Sequence, residues 1–317
     1  MNQGPVLVLG GTGFVGRSLL DVLADRDGVA DARVPTRRLA HGRAIQWLPG
    51  VELVQANVHD DAALNRVMSG VRAVVNLVAI LHGSEADFQR VHVELPRRLA
   101  AACARHGVRR VVHVSALGVA PDAPSRYLRS KAAGEAVLKE SGLDVTVLRP
   151  SVIFGAEDRF LNLFASLQAL MPLMMLAGAD APMQPVWVRD VASAIARALD
   201  DRATIGRTYE CAGPRRYTLR ELVRLAGRWS GHERPVIALP DAIGRIQAAA
   251  FELLPGEPLI SRDNLDSLKV PNVASGSLPG LDALGITPAA LEAVAPAYLA
   301  EQRGRGRLNA WRAVARR

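Results

Sequence analysis

Residues 5–16 read Pro-Val-Leu-Val-Leu-Gly-Gly-Thr-Gly-Phe-Val-Gly. The apolar run Pro5 to Leu9 delivers the chain into glycines at positions 10, 11, 13 and 16, and a helical pattern follows at once with Arg17-Ser18-Leu19-Leu20. A strand, a tight turn and a helix N-terminus in direct succession form an anion cradle. The first N–H groups of the helix have no partner within it, and its dipole favours negative charge there. Gly10, Gly13 and Gly16 fall where a Cβ would keep the backbone from a pyrophosphate or the helix from the sheet, with Phe14 and Val15 between the last two. The stretch predicts the opening of a dinucleotide-binding domain. A glycine triplet alone is weak evidence; the strand before it and the helix after it supply the required context.

Strand-like and helix-like segments alternate outward from this start. Apolar runs at Val51–Gln55, Ala73–Val78, Arg110–Val114 and Val145–Leu148 are separated by helical patterns at Asp60–Met68, Phe88–Arg105 and Arg126–Glu140. Such alternation predicts an α/β fold: a Rossmann-type doubly wound parallel sheet with helices on both faces. Beyond Pro150 the pattern loosens and prolines increase, which predicts a smaller C-terminal substrate region. Gln184–Val188, followed by a helix from Asp190, and Thr208–Cys211 are expected to rejoin the main sheet. The expected division is 1–155 with 182–215 for the nucleotide-binding domain, 156–181 with 216–302 for the substrate region, and 303–317 as a basic tail. Thr287-Pro288 is read as the N-cap and first turn of a terminal helix.

The chain of 317 residues, 49% hydrophobic and 22% charged, is long enough to bury one large core or two modest ones. Its two cysteines, Cys103 and Cys211, lack metal-ligand spacing and are expected to be buried free thiols in a reducing compartment, with no metal site. The start MNQGPVLVLGG has no basic n-region, so no secretory signal is expected and the location is read as cytoplasmic. Net charge is +8, and Arg303–Arg317 alone holds six arginines and no acid. The tail is either a solvated terminus or an anchor for an anionic membrane surface or an acidic partner, with Trp311 as an interfacial residue, giving a peripheral location at the inner face of the membrane. Nucleic acid is disfavoured, since only one aromatic lies among these arginines. Phe160–Ala179 carries no charge over twenty residues, but Asn162, Ser166, Gln168 and Pro172 argue against a membrane span. It is read as a helix and loop, lining an apolar cavity or lying on a membrane surface.

Ser115, Tyr127 and Lys131 are the candidate reacting group. Ser115 closes an apolar strand, and Tyr127 and Lys131 stand four apart in a helical stretch and so share a face. A lysine beside a phenol is expected to lower the phenol pKa, while serine bonds a substrate carbonyl and tyrosine carries the proton. A bare Tyr-x-x-x-Lys is common on surface helices; its position after the glycine-rich start makes it informative. His113, two residues before Ser115, is read as a packed residue, Asp190 as a helix N-cap, and Arg149 as one member of an ion pair.

GGTGFVG, NLVAIL, HVSALG, YLRSK, LRPSVIFG and PVWVRDVA, in this order, resemble the extended and atypical short-chain dehydrogenase/reductases. The likeness is nearest to the branch of the NADPH-binding accessory subunit of respiratory complex I and its bacterial relatives. The resemblance runs from about residue 5 to residue 300 and is specific over the first 215. It implies Ser115, Tyr127 and Lys131 in the catalytic positions, with Lys131 also bonding the ribose. It implies Asn57 and Val58 beside the adenine, Leu77, Val78 and Ala79 along the nucleotide, and Pro150 to Val152 near the nicotinamide. The chain departs from the family at Asn57, where Asp is frequent, and at His92, where active relatives often carry Asn. His92 either joins a proton relay or bonds backbone.

The end of the second strand, Arg33-Val34-Pro35-Thr36-Arg37-Arg38, contains no acid to hold a ribose 2′-hydroxyl. Thr36 and Arg37 suit a 2′-phosphate, which favours NADP(H) over NAD(H). Pro35 is expected to make this strand edge-like or early-ending. Two functions stay open: an oxidoreductase or related isomerase acting on a small apolar carbonyl or quinone-like substrate, and a non-catalytic nucleotide-binding accessory or assembly protein with a respiratory-chain partner.

Overall fold

The structure is a computed structural model that describes residues 4–253, 256 and 258–300. It divides into two compact units, Met1–Pro150 with Val188–Cys211 and Ser275–Thr287, and Ser151–Trp187 with Ala212–Ala274 and Pro288–Arg317. The arginine-rich tail, Arg303–Arg317, lies outside the described residues.

The chain starts with β1 (Val6–Leu9), α1 (Phe14–Asp27), β2 (Ala32–Thr36), β3 (Val51–Gln55), α2 (Asp61–Met68) and β4 (Ala73–Asn76). It continues through α3 (Glu85–Phe88), a π-helical turn (Gln89–Glu94), α4 (Leu95–His106), β5 (Arg110–Val114), α5 (Arg126–Lys139) and β6 (Asp144–Pro150). The second unit opens with β7 (Ile153–Phe154), α6 (Leu161–Leu170), β8 (Met174–Ala177), β9 (Pro182–Met183) and β10 (Val186–Trp187). The first unit resumes with α7 (Val188–Asp200) and β11 (Thr208–Cys211). Then come β12 (Tyr217–Thr218), α8 (Leu219–Ser230), β13 (Val236–Leu239), α9 (Asp241–Glu252), α10 (Arg262–Ser267) and α11 (Leu291–Leu299).

The first unit is built on a seven-stranded parallel sheet in the order β11-β6-β5-β4-β1-β2-β3. The doubly wound expectation is met. β1 is buried along its whole length, which is why it is a continuous run of Val and Leu rather than an alternating strand. α1 buries Leu19, Leu20 and Leu23, and α7, in which Ala192 and Ala196 are buried, packs on it. Each large side chain so buried contributes about 1.5–3 kcal/mol. Arg110 binds the inner end of this layer together. Its guanidinium donates to the Asp144 carbonyl at 2.6 Å, to Thr146 Oγ1 at 2.7 Å and to Thr204 Oγ1 at 3.0 Å, and also to the Ala198 carbonyl in the last turn of α7. A cation there complements the negative end of the helix dipole.

Several sequence expectations are corrected. α1 begins at Phe14 with Gly13 as its N-cap, three residues before the expected Arg17. β2 runs through Pro35 to Thr36 and is interior, paired with β1 and β3. Pairing with β1 stops at Arg33, so the missing proline N–H falls where that ladder has already ended. Gln184–Val188 does not enter the main sheet; Val186–Trp187 pairs with β7 in a separate two-stranded sheet. Asp190 is in the first turn of α7, not at its cap, because the helix already begins at Val188. The terminal helix α11 starts at Leu291 after Ala290, later than Thr287-Pro288.

The expected single helix over Phe88–Arg105 is interrupted by the π turn. Pro96 lacks the N–H that would donate to the His92 carbonyl four residues back, and the turn widens at that place. Phe160–Ala179 likewise divides, into α6 and β8 on either side of Pro172. Both segments supply the core of the second unit, with Leu161, Ala165, Met174 and Leu176 packed against α8 and α11. Among the described residues no helix is long and apolar enough to cross a membrane.

Candidate active site

The carboxyl ends of the parallel strands carry the predicted residues of the first unit along one edge: Gly10 after β1, Thr36 and Arg37 at β2, Asn57 and Val58 after β3, Leu77 to Ala79 after β4, Ser115 after β5 and Pro150 ending β6. In an open α/β sheet this edge, at the point where strand order reverses between β1 and β4, is where a ligand crevice forms.

The glycine loop is a cradle that side chains would fill. Gly10 has φ +83°, and a Cβ on it would stand 3.2 Å from the Leu77 backbone. A Cβ on Gly16 would stand 2.5 Å from the Gly11 Cα and 2.6 Å from the Gly10 carbonyl oxygen. Gly13 is the N-cap of α1 and offers no side-chain acceptor, so the first N–H groups of the helix, at Phe14, Val15 and Gly16, have no cap. A helix N-terminus left this way, with bare backbone before it, fits a pyrophosphate. The residues present therefore fit an NAD(P) nucleotide.

At the end of β2, Arg33 is consumed structurally, donating to Glu52 at 2.6 Å and to the Ser69 carbonyl at 2.7 Å. Thr36 is buried and donates to the Arg38 carbonyl at 3.1 Å, while Arg37 is exposed beside it. Asn57 turns the chain after β3, its amide oxygen accepting from the His59 N–H at 3.2 Å. Val58 and Val78 pack against the core beneath the sheet edge. The Leu77 N–H donates to the Leu9 carbonyl at 2.9 Å, which ties the β4 loop to the glycine loop.

Ser125 caps α5 by accepting from the Leu128 N–H at 3.2 Å, and the helix repeat then sets Tyr127, Lys131, Glu135 and Lys139 along one stripe. Lys131 is buried and donates from Nζ to the Val114 carbonyl at 2.7 Å, next to Ser115. Burial lowers its pKa to about 8, with the Glu135 carboxylate acting in the opposite sense. The structure thus brings Ser115 and Lys131 together at the end of β5. Tyr127 is partly buried, and its ring meets His92 edge-on at 5.6 Å and Phe88 at 6.3 Å. Burial pushes its phenol up to about 12. The expected lowering by Lys131 is therefore corrected: desolvation dominates, and the lysine ammonium is turned to a backbone carbonyl. Val152 belongs to the second unit, where its N–H donates to Asn272 Oδ1 at 3.0 Å.

One partner of these residues, Glu135, was not legible in the sequence. Glu135 is buried and accepts a two-pronged bond from Arg149, at 2.8 and 2.7 Å, and one from Lys139 at 2.9 Å. Burial alone would raise its pKa; the Arg149 fork, the Ser115 hydroxyl and Lys139 overcome that and bring it down to about 2. The Ser115 Oγ closes no well-aligned hydrogen bond among the described residues, yet lies close enough to help hold this carboxylate. His92, within the π turn, accepts at Nε2 from the Ile80 N–H at 3.1 Å and meets Ser130 Oγ at 2.8 Å through Nδ1. Since Nε2 accepts, the ring proton sits on Nδ1, and Ser130 in turn donates to the Tyr127 carbonyl at 2.8 Å. Burial, with Lys131 nearby, lowers His92 to about 3, so the ring is neutral and bonded to backbone. Asn76 contacts His113 Nδ1 at 3.2 Å; His113 is buried, and burial holds its pKa well below the usual range. The four-residue spacing from Tyr127 to Lys139 was the one available signal for Glu135.

An uncapped glycine turn between the first strand and first helix of a seven-stranded parallel sheet defines an NAD(P)-binding Rossmann protein. Residues 6–212 match the family described as "NAD dependent epimerase/dehydratase family", and the chain belongs to it. The mitochondrial NADH dehydrogenase (ubiquinone) 1 alpha subcomplex subunit 9 of Mus musculus is 32% identical over 290 residues, covering 90% of this chain and 77% of the relative. The (4-alkanoyl-5-oxo-2,5-dihydrofuran-3-yl)methyl phosphate reductase of Streptomyces griseus is 35% identical over 229 residues, covering 70% of this chain and 74% of the relative. Among solved structures, the Escherichia coli NADPH-dependent quinone oxidoreductase complexed with NADPH superposes with a TM-score of 0.75 at 22% identity, over 93% of this chain and 99% of that one. A nucleoside-diphosphate-sugar epimerase from Staphylococcus aureus gives 0.70 at 17%, over 94% and all (100%) of the two chains. These two likenesses carry the fold.

Proposed function

We propose that the protein is an NADP(H)-dependent reductase of a small apolar carbonyl or quinone-like substrate, with Ser115, Tyr127 and Lys131 as its reacting set. The observation that carries this reading is geometric: Tyr127 stands on the same face of α5 as Lys131, whose Nζ reaches the Val114 carbonyl at 2.7 Å, beside Ser115 at the end of β5. A phenol kept neutral is a proton donor, which suits protonation of an oxygen that gains negative charge. Ser115 would bond that oxygen, and Lys131, charged at neutral pH with a pKa of about 8, would favour the developing charge and hold the ribose hydroxyls. A bound nicotinamide would supply the hydride. Thr36 and Arg37, with no acid on the loop, favour the 2′-phosphate of NADP(H).

The likeness to a respiratory-chain subunit at 32% identity favours a second reading, a non-catalytic accessory or assembly protein that holds NADPH as a structural ligand. In either case Arg303–Arg317 would hold the protein at an anionic membrane surface or on a respiratory-chain partner. Nicotinamide absorbance, followed with NADPH and a short-chain ubiquinone analogue, separates the readings. Quinone-dependent decay that Tyr127→Phe abolishes, with NADPH still bound, is the expected result. Tight NADPH binding without decay in the wild type, unchanged in Tyr127→Phe and lost in Gly13→Val, supports the accessory role.

A further inference from the structure

The second unit contains a helix that is apolar on the wrong side. α9 turns Gly244 and Ala248 inward, and a Cβ on Gly244 would stand 2.5 Å from the Ala177 Cβ, so this helix approaches β8 through its smallest residues. Its large aliphatics point out: Ile243 is 51% exposed, Ile246 72% and Leu253, just past the last turn, 87%. Positions 243, 246, 250 and 253 fall within one narrow arc at 100° per residue, with Ala250 completing the stripe. The sheet under α9 extends the face. Met175 on β8 and Ile237 on β13 are register partners, each 50% exposed, on the same side of their two-stranded sheet as the Ala177 that α9 covers. Exposed aliphatic side chains gathered on one unit in this way mark an interaction site.

We propose that this face of the second unit enters the interfacial layer of an anionic lipid bilayer. The stripe is made only of Ile, Leu, Met and Ala, with none of the Trp, Tyr or unpaired Arg that anchor protein–protein contacts. Two cations beside it are already matched, Arg245 with Asp266 at 2.9 Å and Arg262 with Glu252 at 2.8 Å, so neither guanidinium is a lone charge. The complementary charge lies in the sequence that follows α11: six arginines and no acid in residues 303–317, which are outside the described residues, within a protein of net charge +8. Buried aliphatic area plus attraction to anionic headgroups is the pairing that holds a peripheral helix on a membrane. The inference rests on the tail's electrostatic reading and adds to it an apolar element that salt does not screen.

Flotation of the full chain with phosphatidylcholine vesicles containing phosphatidylglycerol tests it, using wild type, Ile243→Gln with Ile246→Gln, and a chain lacking residues 303–317. Both substitutions lie at exposed positions, and an unchanged thermal midpoint checks the fold. The double variant is expected to bind about tenfold or more weakly, with the loss persisting at high salt. Cys103 and Cys211 are both buried, so an environment-sensitive dye can be placed singly at Ile246→Cys, with exposed Glu140→Cys on the first unit as control. Emission at 246 should shift to the blue with vesicles while that at 140 does not. Wild-type vesicle binding by the double variant overturns the proposal, and if the tail deletion alone abolishes binding the electrostatic reading survives by itself. A dye response at 246 that follows protein concentration without lipid, with dimer formation lost in the double variant, overturns the proposal in favour of a second copy.

Discussion

Glu135 decides how the proposed reacting set is held. Its carboxylate is buried beneath α5, gripped by Arg149 and Lys139, with Ser115 alongside and Lys131 one turn before it. The folded protein takes up this proton near pH 2, whereas the unfolded chain takes it up near 4.5. The stabilisation is therefore fully present above pH 4.5 and is lost as pH falls from 4.5 to 2. Glu135→Gln should lower stability at pH 7 by about 3 kcal/mol, because it leaves Arg149 without its partner. Denaturant melts from pH 7 down to 3 check this: the variant should begin less stable and show a flatter acid limb than wild type. Equal midpoints at pH 7 would contradict the role assigned to this ion pair.

The elements meet most closely where α5 crosses the π turn. A Cβ on Gly134 would stand 1.9 Å from the His92 carbonyl oxygen, a backbone atom that cannot step aside. Gly134→Ala must therefore push α5 away from the turn that carries His92, and Tyr127 and Lys131 move with it. The expected cost is about 1–3 kcal/mol of stability, measured by chemical denaturation, despite the better helix propensity of alanine. A neutral or stabilising result would show that the two elements yield freely. The glycine start, the alternation of strand and helix, and the stripe of Tyr127 and Lys131 were legible in the sequence because each is a local periodicity. The π turn was not, since it depends on a proline withholding a hydrogen bond and on a glycine forty-odd residues later that admits the neighbouring helix. Pro35 misled for the converse reason: its strand is interior, but its partner had already ended. His92 and Glu135 required tertiary neighbours, Ile80 and Arg149, that no local pattern announces.

For the whole molecule, nucleotide binding should appear as stability. A ligand at a hundred times its Kd adds about 2.7 kcal/mol, and the glycine cradle of the first unit is the site that would transmit it. NADPH should raise the thermal midpoint more than NADH does at equal concentration, and Arg37→Glu should reduce the NADPH response to the NADH level, an affinity loss of about tenfold or more. Equal responses to both nucleotides in wild type would remove the case for a 2′-phosphate site. The first unit is also discontinuous. Its outer strand β11 and the helix α7 that packs on α1 are supplied only after the chain has passed through residues 151–187, and Ser275–Thr287 returns later still. A gene cut after Pro150 would thus encode a nucleotide fold with one flank bare, short of the strand beside β6 and of the acceptor that Arg110 binds at Ala198. During synthesis the same gap leaves α1 waiting for its partner, and any exchange of second units between relatives must splice at several boundaries rather than one.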